Sequence, residues 1–198
     1  MVSRRNMLKT GLTAVFGACA VQTASASEVQ QKSQNNFDVV ILGAGTGGLV
    51  TAIEAADLGL KLVVLEKMEC SAGNSLYASG GIAAWGTSQQ KEEGRNETKE
   101  SFREDMMKVS EYRADPALVG AYVNHIPEDF EWLKKQGVKF SKIGKKPWPL
   151  NYRMHNVDGQ GLTGGARLVR YLLEACEKRN IPIIYNTKAI ELLTNDAG

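Results

Sequence analysis

Glu66 closes the run Lys61-Leu62-Val63-Val64-Leu65, and upstream of it Gly43, Gly45 and Gly48 are spaced G-x-G-x-x-G. Residues 37–67 therefore read as strand, glycine turn, helix, strand and acid. That order has a chemistry. Gly43 permits a tight turn, Gly45 lets backbone approach a pyrophosphate, and Gly48 lets the helix lie close on the sheet. Phosphates would meet the free N–H groups at the helix N-terminus, where the peptide dipoles favour negative charge. A carboxylate about 20 residues further on accepts ribose hydroxyls. A glycine triplet alone is also what an ordinary turn contains. Two strands, a helix and an acid in register select a dinucleotide site instead.

The elements that must hold this site follow from periodicity. A helix over about 46–58 puts Leu49, Ala52, Ile53 and Ala56 on one face, with alanines small enough for close approach to a sheet. The segment after Glu66, rich in Gly, Ser and Ala up to Gly86, reads as a loop that lets backbone amides crowd a ligand. Residues 88–100 are charged and read as solvated. Helical patterns follow at about 98–112, 115–125 and 128–136, with Pro127 separating the last two. Trp132 and Leu133 read as core. His125 sits inside a helix with no metal-ligand partner four residues on, so it reads as structural, and no metal site is expected. Lys142, Lys145 and Lys146 read as a solvated basic loop.

A helix over 164–179 carries Leu168, Leu172 and Cys176 on one face and feeds a strand at Ile181–Tyr185. Ala189–Thr194 has the composition of another strand, and Asn195–Gly198 that of a turn. A turn demands a returning strand, so the chain reads as the front part of something longer, truncated before a capping or substrate domain. Cys70 and Cys176 could pair in an oxidising compartment, but two cysteines are no disulfide framework. The spacing of Cys176 favours a small buried apolar group.

The N-terminus carries an address. Ser3-Arg4-Arg5-Asn6-Met7-Leu8-Lys9 resembles the twin-arginine consensus, a weakly apolar stretch runs from Leu12 to Val21, and Ala24-Ser25-Ala26 is a small-x-small cleavage pattern. Residues 1–26 are therefore expected to be a twin-arginine signal peptide and the product periplasmic. The stretch is too short to span a bilayer, so no stable membrane insertion is expected. Cys19 follows Phe16-Gly17-Ala18, a poor lipobox, which leaves a lipid anchor as the lesser alternative. Cleavage would remove Arg4, Arg5 and Lys9, leaving 21 basic residues against 22 acidic ones. A near-neutral mature chain gives no reason to expect nucleic acid as a partner. Residues 27–36 are polar and read as a linker.

With these residues in view, 37–198 resembles the flavoprotein of the FAD-dependent fumarate reductase and flavocytochrome c family, which includes urocanate and 3-ketosteroid reducing enzymes. The matching stretches are GAGTGGLVTAIEAADLG, VVLEK, GNSLYASGGIAA, DPALV, Trp132-Leu133 with Gly137-Val138, and the run to NTKAIELL. The resemblance implies an α/β Rossmann-type domain with a parallel sheet, binding FAD. It implies a role for Gly47 in the phosphate loop beside Gly43, Gly45 and Gly48, and for Glu66 on the adenosine ribose. Asn74 and Ser75 would lie beside the pyrophosphate and flavin, Gly80 and Gly81 against the isoalloxazine, and the Ala189 backbone against adenine. Membrane-bound members attach FAD through a histidine where this chain has Asn74, so the flavin is expected to be non-covalent.

The resemblance also implies hydride transfer from reduced flavin to a small unsaturated, fumarate-like acid. No C-x-x-C-H occurs in the sequence, so electrons are expected from a separate c-type cytochrome. The family's substrate-clamping histidine and its arginines have no counterpart here. Arg153, His155 and Arg167 are the local alternatives, with His155 in a loop that could approach the flavin. A loop-bracing hydrogen bond explains His155 better, and no residue is assigned as catalytic. Two other readings stay open: a flavin-binding fragment with no catalysis of its own, and an electron carrier without a substrate.

Overall fold

The computed structural model describes residues 36–71, 73–143 and 153–194. The expected signal, most of the linker, Lys145, Lys146 and the terminal turn lie outside the described residues. Within them, β1 (Val39–Leu42), β2 (Leu62–Leu65) and β5 (Ile183–Ile184) form a parallel sheet in the order β1-β2-β5. Val39 pairs with Leu62, and Val64 with Ile183. Helices α1 (Thr46–Asp57) and α5 (Gly164–Glu177) cover one face of this sheet. Ile41, Leu62 and Val64 pack there against Leu49, Ala52 and Ile53 of α1 and Leu172 and Cys176 of α5. The face expected for α1 is confirmed, except that Ala55 is buried where Ala56 is partly so. Alternation sends Val40, Leu42 and Ile184 to the other face, where they are 51%, 56% and 48% exposed.

A second cluster joins α3 (Lys99–Val109) and α4 (Pro116–Lys135) to a short antiparallel pair, β3 (Gly81–Ala83) with β4 (Met154–Asn156). Three expectations change here. The loop after Glu66 contains a 3-10 helix, Gly73–Tyr77, and then β3. Residues 88–100 are not simply solvated, because α2 (Ser88–Glu92) is closed by a Thr87–Gln90 capping box and both of those side chains are buried. Ala189–Thr194 forms no strand, and Ile190, Leu192 and Leu193 are exposed.

The fourth change concerns Pro127, which does not split the helix: α4 runs through it for 20 residues. A proline denies a hydrogen bond to the carbonyl four residues before it. That carbonyl belongs to Val123, and the Trp85 indole N–H donates to it at 2.8 Å. A side chain from the second cluster thus replaces the missing backbone donor. Trp132 and Leu133, also on α4, are half-buried against the sheet core as expected, and the Trp132 indole donates to Glu54 of α1. His125 is exposed on the same helix. Among the described residues no helix is long and apolar enough to cross a membrane.

Trp85→Phe leaves the buried Val123 carbonyl without this donor and should destabilise the fold by about 1–3 kcal/mol. In a Pro127→Ala background, where a backbone N–H returns, the same substitution should cost clearly less. Denaturant unfolding of the four proteins checks this; equal costs in both backgrounds would contradict the replacement.

Candidate functional site

Among the described residues, four of the five α-helices begin with a side-chain cap, from Thr87, Thr98, Asp115 and Thr163. The fifth, α1, begins at Gly45 with no side-chain cap and no acid in its first turn. The first N–H groups of a helix have no intrahelical partner. At α1 they stand beside the turn at Gly43, whose φ of +100° suits glycine. A Cβ at Gly48 would collide with the Gly43 carbonyl oxygen, so this glycine is what lets helix and strand end meet. Gly47 is different. A Cβ there would meet nothing within 4 Å, so packing within the protein gives no reason for glycine at that position. An open, glycine-floored helix start fits the close approach of a pyrophosphate.

Glu66 is held rather than merely placed. Its Oε2 accepts from Ala44 N at 2.7 Å and its Oε1 from Met68 N at 2.9 Å, and the residue is only 6% exposed. These backbone donors, Ala44 first and Met68 second, outweigh burial and hold the carboxyl below its ordinary pKa. Each carboxylate oxygen keeps a further acceptor site, so the structural bonds leave capacity for ribose hydroxyls. The chain at 184–187 lies alongside: Glu66 N donates to Ile184 O at 2.8 Å and Thr187 N to Glu66 O at 2.9 Å. The result is a cleft of about 330 Å³ lined by Gly43, Glu66, Lys67, Thr187 and Ala189. Three predicted site residues thus meet in one place, although Ala189 reaches it from an irregular segment.

The 3-10 helix brings up the next pair. Ser75 Oγ accepts from Thr46 Oγ1 at 2.7 Å, and Asn74 is exposed beside it. Gly80 and Gly81 have structural reasons of their own. A Cβ at Gly80 would strike the Gly164 backbone and φ there is +78°, while a Cβ at Gly81 would crowd Met154 and Asn156. Sequence reasoning missed Thr46, Gly164 and Gly165. The signal was present in Thr163-Gly164-Gly165, a cap followed by two glycines at the start of α5.

The three alternative catalytic residues are engaged elsewhere. Arg153 is buried between Glu97 at 2.6 Å and Asp105 at 2.7 Å. Arg167 donates to the carbonyls of Leu162 and Val157. His155 is fully buried in β4, not in a loop, and packs on Phe130. Its Nδ1 lies 2.8 Å from Arg153 O, a pure acceptor, so Nδ1 carries the proton and Nε2 accepts from Thr87 Oγ1 at 2.9 Å. This is the bracing hydrogen bond expected from the sequence. Cys176, buried as expected, has its thiol pushed up to about 11 by burial, whereas Cys70 is exposed and both are free.

An α/β core with an uncapped, glycine-floored helix start and a buried acid at the end of the second strand defines a dinucleotide-binding domain. The comparisons agree. Residues 38–198 match the FAD binding domain family, and the chain belongs to it. It is 35% identical over 164 residues to the fumarate reductase (cytochrome) of Shewanella frigidimarina, covering 83% of this chain and 28% of that protein. Among solved structures, it is similar to the 3-ketosteroid-Δ4-(5α)-dehydrogenase of Rhodococcus jostii RHA1, with a TM-score of 0.74 and 27% identity over 87% of this chain and 42% of the other. A flavocytochrome c3 fumarate reductase in its open conformation matches with a TM-score of 0.69 and 27% identity, over 81% of this chain and 28% of that one. The chain therefore spans less than half the length of these relatives.

Burial holds the His155 pKa below its ordinary 6.5, only partly countered by its bonds to the carbonyls of Arg153 and Ile82. The sign follows. At pH values below 6.5 the unfolded chain takes up a proton that the folded chain refuses, so stability falls as pH drops from 6.5 toward the folded pKa. The slope from this one group is at most about 1.4 kcal/mol per pH unit. Unfolding free energies between pH 7.5 and 5 check this. A His155→Gln protein should lack that slope, and an identical slope in both proteins would assign it to other groups.

Proposed function

We propose that this chain is the FAD-binding part of a flavoprotein reductase acting on small unsaturated carboxylates of the fumarate type. The observation that carries the proposal is the meeting of Gly43, Glu66 and Ala189 around one cleft, with the uncapped start of α1 following the Gly43 turn. In this reading Gly43, Gly45, Gly47 and Gly48 let the pyrophosphate approach backbone N–H groups. Glu66 takes the adenosine ribose and the Ala189 backbone borders adenine. Asn74, Ser75, Gly80 and Gly81 lie toward the pyrophosphate and flavin. The bound flavin supplies hydride for an activated double bond. This chain's residues bind and orient it.

Non-covalent attachment is part of the proposal, since Asn74 offers no imidazole for a flavin bond. No catalytic role is assigned to Arg153, His155 or Arg167, whose side chains are already engaged by the fold. The 35%-identical relative supports fumarate as the substrate type. We also propose periplasmic residence through the Arg4-Arg5 signal, with electrons arriving from a separate c-type cytochrome. The route suits a protein that collects its cofactor before export.

The flavoprotein isolated from its native host and pre-reduced with viologen should be reoxidised by fumarate or a related enoate. Acid precipitation should release its flavin into the supernatant. FAD-loaded protein that no enoate reoxidises would reject the substrate class, and flavin retained in the precipitate would reject non-covalent binding. Residues 27–198 alone, given FAD and viologen, should turn over fumarate no faster than free flavin. Replacing Arg4 and Arg5 with lysine should strand the precursor in the cytoplasm; normal periplasmic recovery would rule out this route.

A further inference from the structure

The 3-10 helix Gly73–Tyr77 is already fastened to α5 without any help from α1. Thr163 Oγ1 donates to Leu76 O at 2.6 Å, Gly165 N donates to Ala78 O at 3.0 Å, and a Cβ on Gly165 would strike the Ser75 carbonyl. These contacts fix the backbone. The bond from Thr46 Oγ1 to Ser75 Oγ does something else, because it is made between side chains and joins the first residue of α1 to this segment. A hydroxyl has one proton and two acceptor lone pairs. With Thr46 donating, Ser75 spends a lone pair and keeps its proton for another acceptor. Both residues are only partly buried, so that proton remains within reach of a ligand.

Resting on the cofactor reading above, we propose that Thr46 is a positioning residue for the pyrophosphate of the bound dinucleotide, acting through Ser75. Thr46 stands at the helix start where the phosphates are placed, and its hydroxyl selects one rotamer of Ser75. The Ser75 O–H is thereby pre-set to donate to an anionic phosphate oxygen instead of being ordered at the moment of binding. Valine, equal in shape but without the hydroxyl, leaves the backbone of both segments in place and frees the Ser75 rotor.

The test is dinucleotide affinity of the full chain and its variants, read by quenching of flavin fluorescence for FAD and by calorimetry for ADP, which shares the pyrophosphate. Thr46→Val should weaken both ligands by about fivefold to tenfold, the worth of one neutral hydrogen bond. Thr46→Ser should restore affinity to within about twofold of the parent on the same basis. The Thr46→Val, Ser75→Ala double variant should bind no more weakly than Ser75→Ala alone, since the two act as one unit. If Thr46→Val fails to fold by circular dichroism, Thr46→Ala takes its place in the same series. A parent that binds FAD with Thr46→Val unchanged overturns the inference alone, as do additive losses in the double variant. A loss confined to FAD and absent for ADP moves the effect to the flavin side and overturns it too. A parent that binds neither ligand overturns the cofactor reading itself.

Discussion

A buried carboxylate is costly unless hydrogen bonds replace its water, and the site is arranged around meeting that requirement for Glu66. Ala44 N and Met68 N each give it a donor. The first bond closes the glycine turn onto the end of β2, and the second curls the chain after β2 back over the acid. Because Ala44 sits between Gly43 and Gly45, the carboxylate that would read the ribose also sets the conformation of the turn that would receive the phosphates. One charge therefore ties together the two halves of the proposed ligand site. The same bonds, Ala44 first and Met68 second, hold the Glu66 carboxyl below its ordinary pKa.

Around that link, close backbone approach is achieved by removing side chains. Gly48 lets α1 meet the end of β1, and Gly80 with Gly164 lets the start of β3 meet the start of α5. Gly165 admits the carbonyl of Ser75. Three segments distant in sequence, beginning near 43, 73 and 163, are thus drawn to one end of the domain. The second cluster braces this end from outside. His155, Thr87 and Gln90 form a closed hydrogen-bonded set, and Arg153 pins β4 to Glu97 and Asp105. Those polar groups are consumed by the fold, which is why residues of catalytic type carry no catalytic assignment.

Much of the first βαβ unit was legible because its signals are local: alternation in the strands, a 3.6-residue period in α1, and glycines at fixed offsets from an acid. The family resemblance then extended the reading to FAD. What failed depended on contacts between segments far apart. Pro127 looked like a helix break because nothing local reveals that Trp85 donates to the Val123 carbonyl. Residues 88–100 looked solvated because composition does not show a capping box turned inward on Gln90. The apolar run at Ala189–Thr194 suggested a strand, yet a strand needs a partner, and those residues find none among the described segments. The bond from Thr46 to Ser75 was not legible because it crosses 29 residues.

The central claim is that one dinucleotide spans the α1 N-terminus and Glu66. A crystal structure of the protein with FAD tests it most directly. The account predicts pyrophosphate oxygens about 2.7–3.2 Å from backbone nitrogens of the Gly45–Gly48 segment. It also predicts adenosine ribose hydroxyls on the acceptor sites of Glu66 left over from Ala44 and Met68. A dinucleotide bound with its phosphates away from α1, or with its ribose turned from Glu66, would contradict it.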